Sequence, residues 1–143
     1  MSPERKLNVR EAQWAVQAMA RGLMTIGLWL GVAIVVGGAN RWTSASYEAA
    51  LAYPYAPASW GWVIGLASLV GLVASLRGRL KLVSSALFVM AVWALFFAWS
   101  FIETAIGNPY AATTGIPIYL GLAVACLLIG LVHRRSAQDA LHR

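Results

Sequence analysis

The sequence has 143 residues, of which 60% are hydrophobic and only 11% are charged. An average soluble domain carries about 25% charged residues, and a soluble fold of this length could not bury so much apolar surface. With a mean hydropathy of +0.69, the natural solvent is a lipid bilayer. The net charge of +6 could suggest a nucleic-acid partner, but the cations follow membrane topology and point to no specific nucleic acid. The single cysteine, Cys126, lies inside an apolar run, which excludes a disulfide framework and a cysteine metal cluster.

The stretch "SPERKLNVREAQWAVQAMARG" opens the chain. Ser2 is placed to cap a helix with Pro3 at its first position. Leu7, Trp14, Ala15, Ala18 and Met19 share one face, and Arg5, Lys6, Arg10 and Gln13 lie mostly elsewhere. This pattern predicts an amphipathic helix over residues 1–21, lying on the inner leaflet before the chain turns into the membrane. A first apolar span follows over about 22–39. The small residues Gly37, Gly38 and Ala39 before Asn40 resemble a signal-peptide cleavage site. A basic leader of some twenty residues is long for that, so the segment reads as a retained span.

"TSASYEAALAYPYAPASWGW", Thr43 to Trp62, is aromatic and carries one charge, Glu48. Tyrosine and tryptophan have apolar bodies and polar tips, which suits the headgroup zone. Residues 40–59 therefore read as an extracytoplasmic aromatic loop. Trp42, Tyr47, Tyr53, Tyr55, Trp60 and Trp62 form its anchors, and Trp99 adds to them from the third span. Ser46 is placed to cap a short helix through Leu51, stopped by Pro54, with Tyr47, Ala50 and Leu51 facing the membrane. An irregular loop with the same anchors is the alternative.

Three more spans follow, over about 60–76, 82–102 and 114–132, each near the ~20 residues that cross a hydrocarbon core. Backbone groups in lipid must be paired within their own segment, so all four spans are helices. Pro117 falls in the first turn of the last, where a missing N–H costs nothing. The fold class expected is thus all-α, an integral membrane four-helix bundle preceded by an amphipathic helix. Ten of the eleven basic residues lie on one side, among them Arg77, Arg79 and Lys81 between the second and third spans and Arg134 and Arg135 after the fourth; Arg41 alone is on the other. The positive-inside rule places both termini, including a tail over 133–143, in the cytoplasm. The localisation expected is the cytoplasmic (inner) membrane, and anionic lipid headgroups would suit the basic side.

Small residues four apart let helix backbones approach closely in lipid. Gly27 and Gly31, Gly61 and Gly65, and Gly121 with Ala125 have this spacing. They serve either self-association between subunits or packing within one bundle. The third span is bulky, with Phe88, Trp93, Phe96, Phe97, Trp99 and Phe101, and reads as lipid-facing or core-packing. Met90 has no intramembrane histidine to join it in ligating haem, and His133 and His142 lack acidic neighbours for a metal site. Glu103 reads as an interfacial carboxylate at the end of its span, within reach of Arg41. The chain contains no nucleophile–base arrangement, phosphate loop or paired carboxylates, so an enzyme is not expected. No cofactor is expected either.

The short basic turn "RGRLK", the aromatic segment ending "PASWGW", the segment "FFAWSFIETAIGNPYAATTGI" and the basic tail "HRRS" together resemble the layout of four-span holin-like small membrane proteins of actinobacterial phages. The resemblance covers most of the chain through composition and arrangement. It implies accumulation in the cytoplasmic membrane, lateral assembly and eventual permeabilisation or depolarisation. Two other functions fit the same sequence: an accessory or scaffold subunit of a larger membrane protein, and a small oligomeric channel or carrier. For a solute path the spans offer few polar side chains beyond Thr25, Ser68, Ser75, Ser84, Ser85 and Ser100.

Overall fold

In a computed structural model the described residues are 3–38, 47–108 and 113–139, with side chains described from residue 11 onward. They form five helices: α1 (Pro3–Gly37), α2 (Glu48–Leu51), α3 (Ala58–Leu76), α4 (Leu80–Gly107) and α5 (Gly115–Asp139). α1, α3, α4 and α5 are each long and apolar enough to cross a membrane. The architecture is an all-α bundle, that of a small multi-pass membrane protein.

α1 differs from expectation. The amphipathic segment and the first span are one unbroken helix of 35 residues, about 52 Å long at 1.5 Å per residue. Nothing between Pro3 and Gly37 forces a break: there is no interior proline, and Gly22 alone is too weak a breaker. The first turns continue along the axis of the span, so they do not lie across its end as a separate surface helix. Ser2 and the side chains of Leu7, Arg5, Lys6 and Arg10 fall outside the described set. The other helices also outrun their apolar runs. α4 reaches Gly107 and α5 continues through Asp139, so much of the expected tail is helical.

Neighbouring helices run antiparallel. Met24 meets Gly71 while Gly31 meets Gly61 and Gly65, which sets α1 against α3. Ser84 Oγ donates to the Gly130 carbonyl at 2.9 Å, and Gly115 lies against the Phe101 ring at the opposite end, which sets α4 against α5. α3 and α4 share the tight turn at 77–79 and complete the order α1–α3–α4–α5. Half of the apolar stretch of α4 is buried, against 22–33% for the other three. α4 is therefore the central, core-packing helix.

Two apolar layers fill the bundle. One, near the α3–α4 turn, gathers Ala20, Met24, Ala74, Leu87, Met90 and Cys126. The other, at the aromatic end, gathers Ile34, Trp60, Ile64, Trp93, Phe97 and Phe101. Large apolar side chains such as Ile26, Val36, Leu66, Val70, Leu128 and Leu131 point outward, as lipid-facing positions do.

The α3–α4 turn is chemically determined. Gly78 has φ +67°, a left-handed conformation that glycine adopts without the Cβ penalty. The Arg79 N–H donates to the Ala74 carbonyl at 2.9 Å and the Gly78 N–H to the Ser75 carbonyl at 3.3 Å. This is the paired hydrogen-bond pattern of a Schellman cap, which satisfies carbonyls that the end of α3 would otherwise leave open. Gly78→Ala should destabilise the bundle by about 1–2 kcal/mol, the cost of a left-handed L-residue. Denaturation of detergent-solubilised protein by SDS, followed by helicity, measures the shift.

Candidate functional site

Two regions concentrate the sequence's distinctive residues: the α1–α3 interface and the aromatic end. At the interface, α1 presents Gly27 and Gly31, and α3 presents Gly61, Gly65, Ser68 and Gly71. A Cβ on Gly31 would fall 2.6 Å from the Gly65 Cα and 2.7 Å from the Gly61 carbonyl oxygen. Both neighbours are backbone, so no rotamer change relieves the overlap. A Cβ on Gly61 would lie 2.8 Å from the Gly31 carbonyl oxygen, and one on Gly27 would collide with the Ser68 hydroxyl. Four of the five predicted packing glycines therefore meet, and they meet within one chain. Their close approach is already used inside the bundle, which removes them as a face between subunits.

Gly121 does not join them. It is exposed, with nothing within 4 Å of where its Cβ would be. On α5 the packing glycines are Gly115, against the Phe101 ring, and Gly130, against Leu87 and Ser84. Gly71 is a further packing position, pressed between Met24 of α1 and Ala86 of α4. Gly71 and Ser75 share the four-residue spacing of small residues in the second span, whereas spacing identified neither Gly115 nor Gly130, each of which meets a larger partner.

The aromatic end is built around Phe97. Its ring lies 4.4 Å from Trp93, 5.0 Å from Trp60, 5.3 Å from Tyr119 and 5.4 Å from Phe96, centroid to centroid. The Trp60 and Phe96 contacts are edge-to-face, the geometry that the ring quadrupole favours. Trp93 Nε1 donates to the Trp60 carbonyl at 3.1 Å, tying α4 to the start of α3. Tyr47 packs edge-on against Phe101 at 5.1 Å.

This corrects the anchoring expectation at two positions. Trp60 is only 5% exposed and belongs to the core, and Tyr47 is half-buried against it. α2 likewise turns Ala50 and Leu51 onto the bundle, not out to lipid. The helical spacing of these residues is as expected; the surface they cover is the chain's own. Among the described residues no side chain caps α2, which follows directly on Tyr47; Ser46 falls outside the described residues. Trp62 and Trp99 remain exposed, at 57% and 63%, as anchors should be. Trp42 and Arg41 also fall outside the described residues. Glu103 is exposed near the end of α4.

Seven hydroxyls within the spans are engaged. Ser100 and Thr104 donate to carbonyls one turn back on α4, at 2.9 Å each, and Thr25 and Ser85 do the same on their own helices. Ser68 points its hydroxyl at the Met90 sulfur, 3.6 Å away. Ser84 bridges α4 to α5, and Ser75 accepts from Arg21 Nε at 2.9 Å. His133 is buried, its Nδ1 2.9 Å from the Ile129 carbonyl; a proton on Nδ1 makes that a donated hydrogen bond. Two grooves of about 510 and 520 Å³ open on either side of Val92 and Phe96 of α4, lined almost entirely by apolar atoms. Arg77, Arg79, Lys81, Arg134 and Arg135 are all exposed at the end opposite the aromatic cluster.

No family model, no curated protein and no solved structure matches the chain.

Gly31→Ala should cost about 1–3 kcal/mol, the usual penalty of overpacking. Gly65→Ala, whose Cβ would meet only the Gly31 Cα at 3.7 Å, and Gly121→Ala should stay within about 0.5 kcal/mol. SDS titration of the three variants side by side reads the contrast, and equal losses would refute the interface. At the aromatic end Phe97→Ala should cost about 3 kcal/mol, the low end for a buried ring because lipid competes for it. Phe88→Ala, on the exposed face, should leave the same transition nearly unmoved.

Proposed function

We propose that the protein resides in the cytoplasmic membrane with both termini in the cytoplasm, associates laterally with copies of itself, and permeabilises the membrane in a holin-like manner. The observation that carries this reading is the state of the interior. Seven hydroxyls in the spans, those of Thr25, Ser68, Ser75, Ser84, Ser85, Ser100 and Thr104, are bonded to a helix carbonyl or to a neighbouring side chain, and the layers between helices are filled by Ala, Met, Ile and aromatic side chains. A single copy therefore offers no lining for ions or polar solutes, and a water path would have to form between copies. The short basic turn, the aromatic end and the absence of charge from the spans' centres support the same reading through the layout resemblance. With Gly27, Gly31, Gly61 and Gly65 engaged inside the chain, contacts between copies would use the bulky outward faces, where Trp29, Phe88 and Trp99 stand.

A second reading is an accessory subunit or scaffold. The two grooves beside Val92 and Phe96 favour it, because their apolar linings suit a helix of a larger membrane protein. Controlled expression in a bacterial host, with a potential-sensitive dye followed over time, separates the two. A silent accumulation period and then an abrupt collapse of potential is the outcome expected of the holin-like protein. Sustained potential at verified membrane levels would overturn that reading and favour the subunit.

A further inference from the structure

We infer that the basic end of the bundle is a footing for anionic phospholipid headgroups, formed by six cations that the fold brings to one level. This rests on the multi-pass reading but not on permeabilisation. Three contacts set the level. Arg21 Nε is bonded to Ser75 Oγ, so Arg21 of α1 stands beside the last turn of α3. Gly78 closes the α3–α4 turn through the Arg79–Ala74 hydrogen bond, which puts Arg77, Arg79 and Lys81 at that same end. Ser84 Oγ is bonded to the Gly130 carbonyl; one turn further toward the end, Lys81 comes level with Arg134 and Arg135. From three separate stretches of sequence the cations thus converge on a layer about one or two helical turns deep, ~5–10 Å. All six residues are exposed.

A phosphate layer has the same planar form. Each cation near an anionic leaflet contributes attraction that decays within a Debye length, about 8 Å at physiological salt. A flat layer of cations keeps every one of them inside that distance, which a charge run along a protruding tail would not. Glu11 and Asp139 are the described acids of α1 and α5 at this end, and they leave the layer strongly positive. α1 continues past Arg21 by about 27 Å toward Pro3, so it rises through the headgroup zone, and exposed Trp14 sits two turns beyond Arg21 on that stem. Topology signalling would need only the sign of these charges; their shared level is what a headgroup layer adds.

The test uses the full chain in vesicles of phosphatidylcholine mixed with phosphatidylglycerol, with brominated lipids quenching the intrinsic tryptophan fluorescence. Comparing brominated phosphatidylglycerol with brominated phosphatidylcholine gives a relative binding constant. The expected preference for the anionic lipid is roughly fivefold, equivalent to one cation engaging one headgroup. It should fall toward unity in about 1 M salt, where the Debye length is about 3 Å. The variant Arg77→Gln/Arg79→Gln/Lys81→Gln should lose most of the preference, and Arg134→Gln/Arg135→Gln should lose part of it while keeping the circular dichroism of the parent. A preference near unity for the parent at low salt would overturn the inference. So would a preference that neither variant reduces. Binding of a single-stranded oligonucleotide by the parent without any lipid preference would also overturn it, and would assign the cations to nucleic acid.

Discussion

The approach of α1 to α3 at Gly31 is the constraint from which the rest of the bundle follows. In lipid the hydrophobic effect does not drive helices together, because the tails are as apolar as the side chains; close packing must supply the difference. At Gly31 the α1 backbone comes so near Gly61 and Gly65 that even one methyl group would overlap. That contact fixes the depth of α1 relative to α3. With the depth fixed, Met24 fills the space at Gly71 and Arg21 reaches Ser75. One interhelical distance thus governs a series of contacts along three turns.

The same constraint has a counterpart at the aromatic end, solved by the opposite means. There the helices are held apart by rings, and the gap is filled by Phe97 and the aromatics around it. Small residues thus serve one helix pair, and large ones fill the end of the bundle. α2 and Tyr47 then pack against the aromatic end. The aromatic segment between the first two spans has a structural reason for its composition: it must complete a core as well as meet an interface.

Much of this was legible in the sequence and some was not, for identifiable reasons. The four spans are plain because twenty apolar residues in a row have one physical solution in a bilayer. Their ends are not plain. Hydropathy ends where charge begins, whereas a helix ends where its backbone hydrogen bonds do, and α5 runs on through Arg134 and Arg135 to Asp139. The pairing of Gly31 with Gly61 and Gly65 could be anticipated from spacing, but its place inside one chain could not, because periodicity defines a face without naming what the face meets. Gly121 shows the same limit. It has the right neighbours in sequence and the wrong rotation about the α5 axis, while Gly130 packs without a small residue four positions away on the same helix.

Trp60 and Trp62 carry the argument furthest. They are two residues apart, and in a helix two residues apart means roughly opposite sides. One is buried with its carbonyl held by Trp93; the other is exposed to the surroundings. A composition-based reading assigns both to an interfacial belt, since tryptophan is common there. The start of α3 is instead amphipathic in its use of a single residue type, with one tryptophan for the core and one for the interface. What separates the two roles is angular position alone, and that is set by the Gly31 contact with Gly61 and Gly65, which begins at the residue between the two tryptophans. The aromatic end and the glycine interface are therefore one mechanical unit, and a change at either should be felt at the other.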